Sequence, residues 1–279
     1  MKIGAIIQAR VGSSRLRGKV LLKLPYGEKK TVLEHVIERV KKAKTVGEVI
    51  VATTTNGEDN EIVHIAEGLG VKTFRGSEKD LLSRYYYAAK KYELDIVVRI
   101  TSDCPCIDPT IIDKAVKHHL ENNADYTRTV GFPRGFDVEV ISFKALEVAH
   151  KEAIRDFERE HVCPYIYKTA PEKFKISYLH AEEGINHPEI RVTLDTEEDY
   201  ALLCCVFDKL YGKNPFFGVY EVMELFRKKP YLKIINKRVR QKKIFSNLKE
   251  ELKEAIKVLQ LQELTRAKKI LEDHLKNIF

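Results

Sequence analysis

The chain has 279 residues, 44% of them hydrophobic, enough for one large domain with a buried core, or a domain with an appendage. No apolar run approaches the roughly 18 residues that cross a bilayer, and Arg10 cuts the N-terminal apolar stretch before it could act as a signal-peptide core, so a cytoplasmic protein without membrane insertion is expected. The net charge of +8 is uneven: residues 213 to 279 hold 17 Lys and Arg against 8 Asp and Glu, a balance of +9, which leaves residues 1 to 212 at −1. The five cysteines show neither C-x-x-C pairs nor a His spacing suited to zinc, which argues against a structural metal or a disulfide framework.

From the N-terminus, the apolar run Lys2 to Ile7 predicts a strand and the amphipathic stretch Val32 to Ala43 a helix. The pair repeats at Glu48 to Thr53 and Glu58 to Leu69. A helix over Asp80 to Tyr92, a strand over Asp95 to Ile100 and a helix over Pro109 to Asn122 continue the alternation. Short β-like runs beside helical periods of this kind build βαβ units, so the fold class is α/β, a three-layer and mostly parallel sheet flanked by helices. Ligands of such sheets gather at the carboxyl ends of the strands, where the loop after Ile7, the Thr53 segment and Ser102-Asp103 all fall.

Between Tyr126 and His187 the rhythm shortens to strands over Gly135 to Ser142 and Lys175 to His180, around a helix from about Phe157 to Lys168. Residues 126 to 187 therefore read as an insertion for ligand binding or subunit contact. Arg227 to Lys243 packs nine cations and no acid into 17 residues, a run that would suit nucleic acid, anionic lipid or a polyanionic glycan, or simply a solvated surface. No helix-turn-helix, zinc-finger or RNP aromatic motif accompanies it, and no nucleic-acid partner is expected. Beyond Asn247 there is neither Gly nor Pro, and Leu248, Leu252, Leu259, Leu264, Leu271 and Leu275 predict a terminal amphipathic helix whose spacing slips near Gln260 to Gln262. The expected organisation is a domain over 1 to 212, a basic extension over 213 to 246 packed on it, and the helix over 247 to 279.

The densest chemistry lies in Ile6-Ile7-Gln8-Ala9-Arg10-Val11-Gly12-Ser13-Ser14-Arg15-Leu16-Arg17-Gly18-Lys19, an apolar run that empties into a small-residue loop with four cations and no acid. Small residues let backbone N–H groups approach phosphate oxygens, and Arg10, Arg15 and Lys19 can oppose the roughly four negative charges of a nucleoside triphosphate. Two familiar phosphate loops do not fit. Five residues separate Gly12 from Gly18 and Val20 follows Lys19, which departs from the Walker pattern, and there is no G-x-G-x-x-G.

The pattern A-R-x-x-S-[ST]-R-L-x-G-K-x-L closely resembles the opening of the sugar-acid cytidylyltransferases, the family of the CMP-KDO and CMP-acylneuraminate synthetases, with the SpsF-like branch of spore-coat polysaccharide synthesis nearest. Further blocks match in order: Val51 to Thr55; Arg75-Gly76-Ser77-Glu78 with Asp80 to Tyr85; Arg99 to Pro105 with Asp108-Pro109; Arg159 to Val162 through Pro164 to Tyr167; and Val192 to Asp199, which resembles the family's second metal-binding segment. The likeness covers about residues 1 to 245. Arg17 stands where the family usually has proline and Cys106 where it usually has an aliphatic residue, and neither departure removes a charged ligand.

The resemblance implies a nucleotide-diphospho-sugar transferase-like fold, transfer of CMP from CTP to a sugar acid with release of pyrophosphate, Mg²⁺, and a homodimer. It implies nucleotide contacts from Ala9, Arg10, Gly12, Ser13, Ser14, Arg15, Lys19, Arg75, Ser77 and Arg84, with Lys19, Arg10 and Asp103 catalytic and Asp103 and Asp195 on the metal. From turn and cap preferences alone, Asp103 would equally suit an Asx turn with Pro105, and Asp195 the N-cap of a helix starting near Glu197. Ser77 and Asp80 would equally open a helix. Alternation in Arg134 to Glu139 puts Asp137 and Glu139 on one strand face, where with Arg134 and His161 they could hold an acceptor's hydroxyl and carboxylate groups. A metal-dependent glycosyltransferase on a similar sheet is the alternative, although Ser102-Asp103-Cys104-Pro105 lacks the second acid of an Asp-x-Asp.

Overall fold

The computed structural model describes residues 1–241, 245 and 247–278; Lys242 and Lys243 of the basic run, and Phe279 at the end of the predicted terminal helix, lie outside them. The chain order is β1 (Ile3–Gln8), α1 (Val32–Val40), β2 (Glu48–Thr54), α2 (Asn60–Gly68), β3 (Lys72–Gly76), α3 (Leu81–Lys91), β4 (Ile96–Thr101), α4 (Pro109–Glu121), β5 (Tyr126–Val130), β6 (Glu139–Ser142), α5 (Phe143–Glu152), α6 (Asp156–Glu160), β7 (Ile176–His180), α7 (Glu197–Leu210), α8 (Val219–Lys228), α9 (Leu232–Ile235), α10 (Leu248–Leu261) and α11 (Thr265–Ile278). The strands form one sheet of seven in the order β3-β2-β1-β4-β6-β5-β7. All neighbours are parallel except β6, which runs against both β4 and β5.

This order follows from the alternation. After β1, the chain winds outward through β2 and β3, then returns to place β4 on the other side of β1. The sheet reverses its winding there, and loops leaving two neighbouring strands part to open a crevice at their carboxyl ends. Register closes it from below, since Gln8 pairs with both Ala52 and Thr101 and the N–H of Ser102 donates to the Gln8 carbonyl at 3.1 Å.

Successive strand residues face opposite layers. Ile7 faces a core shared with α1, α2, α4, α7 and α8, while Ile6 faces a second core shared with α3 and α5. Strand composition explains what was and was not predicted. The continuous apolar runs of β1, β2 and β4 are those of strands covered on both faces. β3, at the sheet edge, has no fully buried residue, and Tyr126-Thr-Arg-Thr-Val130 is too polar to read as a strand until β6 and β7 flank it. The helix expected over Phe157 to Lys168 is broken into α6 and a separate turn over Tyr165–Thr169, because Pro164 has no N–H to donate and disfavours helical backbone just before it.

Composition changes at 212, but packing continues to 239. The first compact unit runs Met1–Val239 and the second Arg240–Phe279. Val219, Val222, Phe226 and Leu232 enter the first core, and Arg39 of α1 donates to the carbonyls of Phe217 at 2.6 Å and Pro215 at 3.0 Å. Asp108 joins two helices, accepting from Thr110 in α4 and from the N–H of Val219 that begins α8. The second unit holds two helices where the sequence predicted one: the chain turns at Glu263, whose φ of 57° is left-handed, at the place where the leucine spacing slips. Among the described residues, no helix is long and apolar enough to cross a membrane.

One glycine is needed for the approach of two segments beneath the crevice. Arg134 N–H donates to Ile190 and Val192 N–H to Arg134, both at 2.8 Å, and a Cβ on Gly135, whose φ is 104°, would lie 2.7 Å from the Val192 carbonyl. Gly135→Ala is expected to lower unfolding free energy in urea by about 1–3 kcal/mol, whereas Gly184→Ala, with nothing within 4 Å of the added carbon, should leave it near the native value. Equal midpoints for the two variants would refute the constraint.

Candidate active site

The loop after β1 is held open by acids from the β2–α2 connection. Val11 N–H donates to Asp59 at 2.8 Å, Arg17 pairs with Glu58 at 2.5 Å, and Gly18 N–H returns to the Val11 carbonyl at 2.9 Å. A Cβ on Gly12 would lie 3.0 Å from the Glu58 carboxylate, so a small residue lets this wall close on the loop. Gly18, at φ 71°, takes the left-handed turn that starts the short helical turn Lys19–Leu21. Nothing local in the sequence marks Glu58 and Asp59, because their service to the loop needs β1 and β2 to be neighbours.

Lys19 is nearly buried, and its ammonium donates to Asp103 Oδ2 at 2.7 Å and to Asp195 Oδ1 at 2.8 Å. Asp103 comes from the loop after β4 and Lys19 from the loop after β1, so the pair spans the crevice; Asp195 precedes α7. Burial alone would lower the Lys19 pKa, but the two carboxylates outweigh it and hold it above 10.5. Burial alone would raise Asp195, but Lys19 and then Arg191 hold it below 3.8. Arg15 reaches the same Asp195 oxygen at 2.9 Å. Arg10 stands on the outer side, 3.9 Å from Glu78.

The helix cap at α7 is Thr196, not Asp195. Thr196 Oγ1 accepts from Asp199 N–H, and Asp199 accepts from the Thr196 N–H in return, a reciprocal cap that leaves the Asp195 carboxylate to face the loop. Asp103 Oδ2 accepts from Lys19, and Pro105 has no N–H with which to close a hydrogen-bonded turn on the other oxygen. Two residues without an assigned role complete this side. Arg191 grips Asp199 through Nε at 2.9 Å and Nη2 at 3.0 Å, and the same Nη2 meets Asp195 Oδ2. The four-residue spacing of Arg191, Asp195 and Asp199 was a signal, but it belongs to no single helix, as only Asp199 is helical.

On the flank, Arg75 donates to the carbonyls of Thr54 at 2.9 Å and Asn56 at 2.6 Å and to the Asn60 side chain at 2.7 Å, shaping the β2–α2 connection. Ser77 accepts from Asp80 N–H, and Asp80 is the N-cap of α3 and the partner of Arg159. Arg84 is 3% exposed, and among the described residues its Nε and Nη1 have no partner. Burial depresses its pKa. A buried guanidinium left short of acceptors beside Gly76 is suited to an oxygen-rich ligand.

The residues expected to meet an acceptor divide. Arg134 is drawn beside Arg191 by the bridge between their segments. β6 begins at Glu139, and Asp137 lies two residues before it in the same alternation, since Val138 and Val140 both enter the first core; Asp137 accepts from Gly135 N–H at 3.3 Å, and desolvation raises it above the usual aspartate range. Glu139 is instead an inward counter-ion between Arg99 and the Tyr126 hydroxyl; burial would raise it, but Arg99 holds it below the usual glutamate range. Register pairs Glu139 with Arg99 on one side and Arg128 on the other. His161 is the half-buried residue that ends α6.

A family model described as Cytidylyltransferase matches residues 4–270, and the chain belongs to that family. It is 46% identical over 242 residues to an uncharacterised protein of Methanocaldococcus jannaschii, covering 87% of this chain and 97% of that one. It is 31% identical to the spore coat polysaccharide biosynthesis protein SpsF of Bacillus subtilis, covering 81% of this chain and 94% of that one. The solved structure of a cytidylyltransferase from Leptospira borgpetersenii superposes with a TM-score of 0.76 at 36% identity, over 88% of this chain and 99% of that one. The protein is accordingly a CTP-dependent nucleotidyltransferase.

Two predictions follow from the geometry. The Lys19–Asp195 contribution to stability is fully present between 3.8 and 10.5, the unfolded values of the two groups: it is lost as pH falls below 3.8 through the depressed Asp195 and as pH rises above 10.5 through the raised Lys19. Asp195→Asn should therefore cost on the order of 3 kcal/mol near neutral pH and converge with the native protein in acid, read by urea unfolding across pH; a cost independent of pH would exclude the linkage. Arg84→Met should keep or raise the melting temperature while weakening CTP binding by roughly 10-fold or more, and a variant that loses stability but not affinity would make Arg84 a core residue only.

Proposed function

We propose that the protein transfers CMP from CTP to a hydroxyl oxygen of a sugar acid of the KDO or acylneuraminate class, releasing pyrophosphate, as a cytoplasmic step that prepares a sugar for surface polysaccharide or glycoconjugate synthesis. The observation that carries the reading is the Lys19 ammonium bracketed by Asp103 and Asp195 beneath a loop bearing Arg10 and Arg15. The likeness to SpsF supports the polysaccharide setting. The homodimer implied by the resemblance belongs to the same reading.

Arg10, Arg15 and Lys19 hold the triphosphate with the backbone of Ala9, Gly12, Ser13 and Ser14, while Arg75, Ser77 and Arg84 flank the nucleoside. The acceptor hydroxyl gives up its proton to solvent as its oxygen forms a bond to the α-phosphorus and the bond to the bridging oxygen breaks, and pyrophosphate leaves with that electron pair onto the cations of the loop. Positioning and charge neutralisation supply the catalysis, and no covalent nucleophile is needed. Arg134 and His161 line the acceptor side, with Asp137 toward its hydroxyls; Glu139, already paired with Arg99, shapes that wall from within.

Asp103 and Asp195 fit Mg²⁺, since two hard carboxylate oxygens converge on one cationic point. Such an ion takes few carboxylates and otherwise keeps water and phosphate oxygens in its shell. When bound, Mg²⁺ supplies charge neutralisation at the phosphates.

The test is pyrophosphate release from CTP against a panel of sugar acids. CTP with one acid should give turnover that UTP does not, and Lys19→Ala and Asp103→Ala should each lose at least roughly 100-fold in kcat while keeping the native circular-dichroism spectrum at a lowered melting temperature, because each change leaves buried charge unpaired. A fully active Asp103→Ala enzyme would remove the metal assignment, and CTP turnover with neutral sugars only would remove the sugar acid.

A further inference from the structure

Within the basic run, Asn236 turns inward beside the residues of the active site. Lys233, Lys237 and Arg238 are exposed, but Asn236, which closes α9, is 7% exposed. Its amide donates to Asp199 Oδ1 at 2.9 Å and to the Arg191 carbonyl at 3.0 Å. Asp199 is thereby filled: Oδ1 accepts from Arg191 Nε and Asn236, and Oδ2 from Arg191 Nη2 and from the N–H groups of Asp195 at 2.9 Å and Thr196 at 3.2 Å. Arg191, fixed on this carboxylate, turns Nη2 onto Asp195 Oδ2, which leaves Oδ1 toward Lys19 and Arg15.

We infer that Asn236 is a positioning residue, which fixes the direction of the Asp195 carboxylate through Asp199 and Arg191 and so makes the C-terminal part of the first unit necessary to the site. The chemistry selects an amide. Two N–H groups on one nitrogen serve a carboxylate and a carbonyl at once; a serine hydroxyl offers one donor and an aspartate none, with a second negative charge against Asp199. The inference rests on Asp195 serving the nucleotide-bound metal, as proposed above.

The test measures binding of Mn²⁺ with CTP to the full chain by electron paramagnetic resonance, alongside binding of CTP in EDTA by calorimetry. Asn236→Ala should raise the Mn²⁺ dissociation constant roughly 10-fold, Asn236→Asp more and Asn236→Ser less, with metal-free CTP affinity unchanged. An unchanged Mn²⁺ constant in Asn236→Ala overturns the inference, as does a parallel fall of both affinities, which marks a structural residue only. If Asn236→Ala does not fold, Asn236→Ser decides by the same criteria. Native protein that binds CTP in neither condition would instead sink the nucleotide reading itself.

Discussion

A buried ammonium between two carboxylates organises this protein. Lys19, Asp103 and Asp195 come from three places far apart in the chain, and each would be costly to bury alone. Together they satisfy one another, and they can meet only if β1 and β4 are neighbours with their carboxyl ends level and the segment before α7 is drawn up against them. The loop after β1 starts at one end of this triad, the α7 cap at the other.

The surroundings of the triad show what its geometry requires. Thr196 takes the helix cap and thus releases Asp195; Asp199 serves the cap and Arg191 together; Gly135 lets the Arg134 segment lie against Val192. Carboxylates are surrounded here by fixed donors, which raises the precision with which one oxygen of Asp195 faces the loop and lowers its freedom to reorganise. The same network reaches Asn236, so the chain from 213 to 239 belongs to the first unit by packing even though composition sets it apart.

Buried charges also differ in how fully the fold itself satisfies them. Arg39 and Arg84 are both buried arginines, but Arg39 finds backbone carbonyls and the Phe217 ring and leaves only Nε unserved, while Arg84 is left with two nitrogens unserved among the described residues. Glu139 likewise looked like a ligand for hydroxyl groups and is the counter-ion of Arg99. Only partners decide such cases, because the same residue type serves both ends.

What the sequence determined by itself was local or periodic: the α/β class from alternating apolar runs and helical periods, the cationic loop from its small residues and spacing, and Asp103 and Asp195 as acids that follow apolar runs. A slip in leucine spacing even marked where the last helix divides, though without Gly or Pro it carried no direction. What the tertiary structure alone decided depends on neighbours distant in the chain. β5 is a strand because β6 and β7 lie beside it, Glu58 and Asp59 guard the loop because β2 pairs with β1, and Asn236 reaches Asp199 because α9 packs on α7. A period of two or of 3.6 residues sees only its own window, whereas a buried polar contact is set by which strands the register brings together.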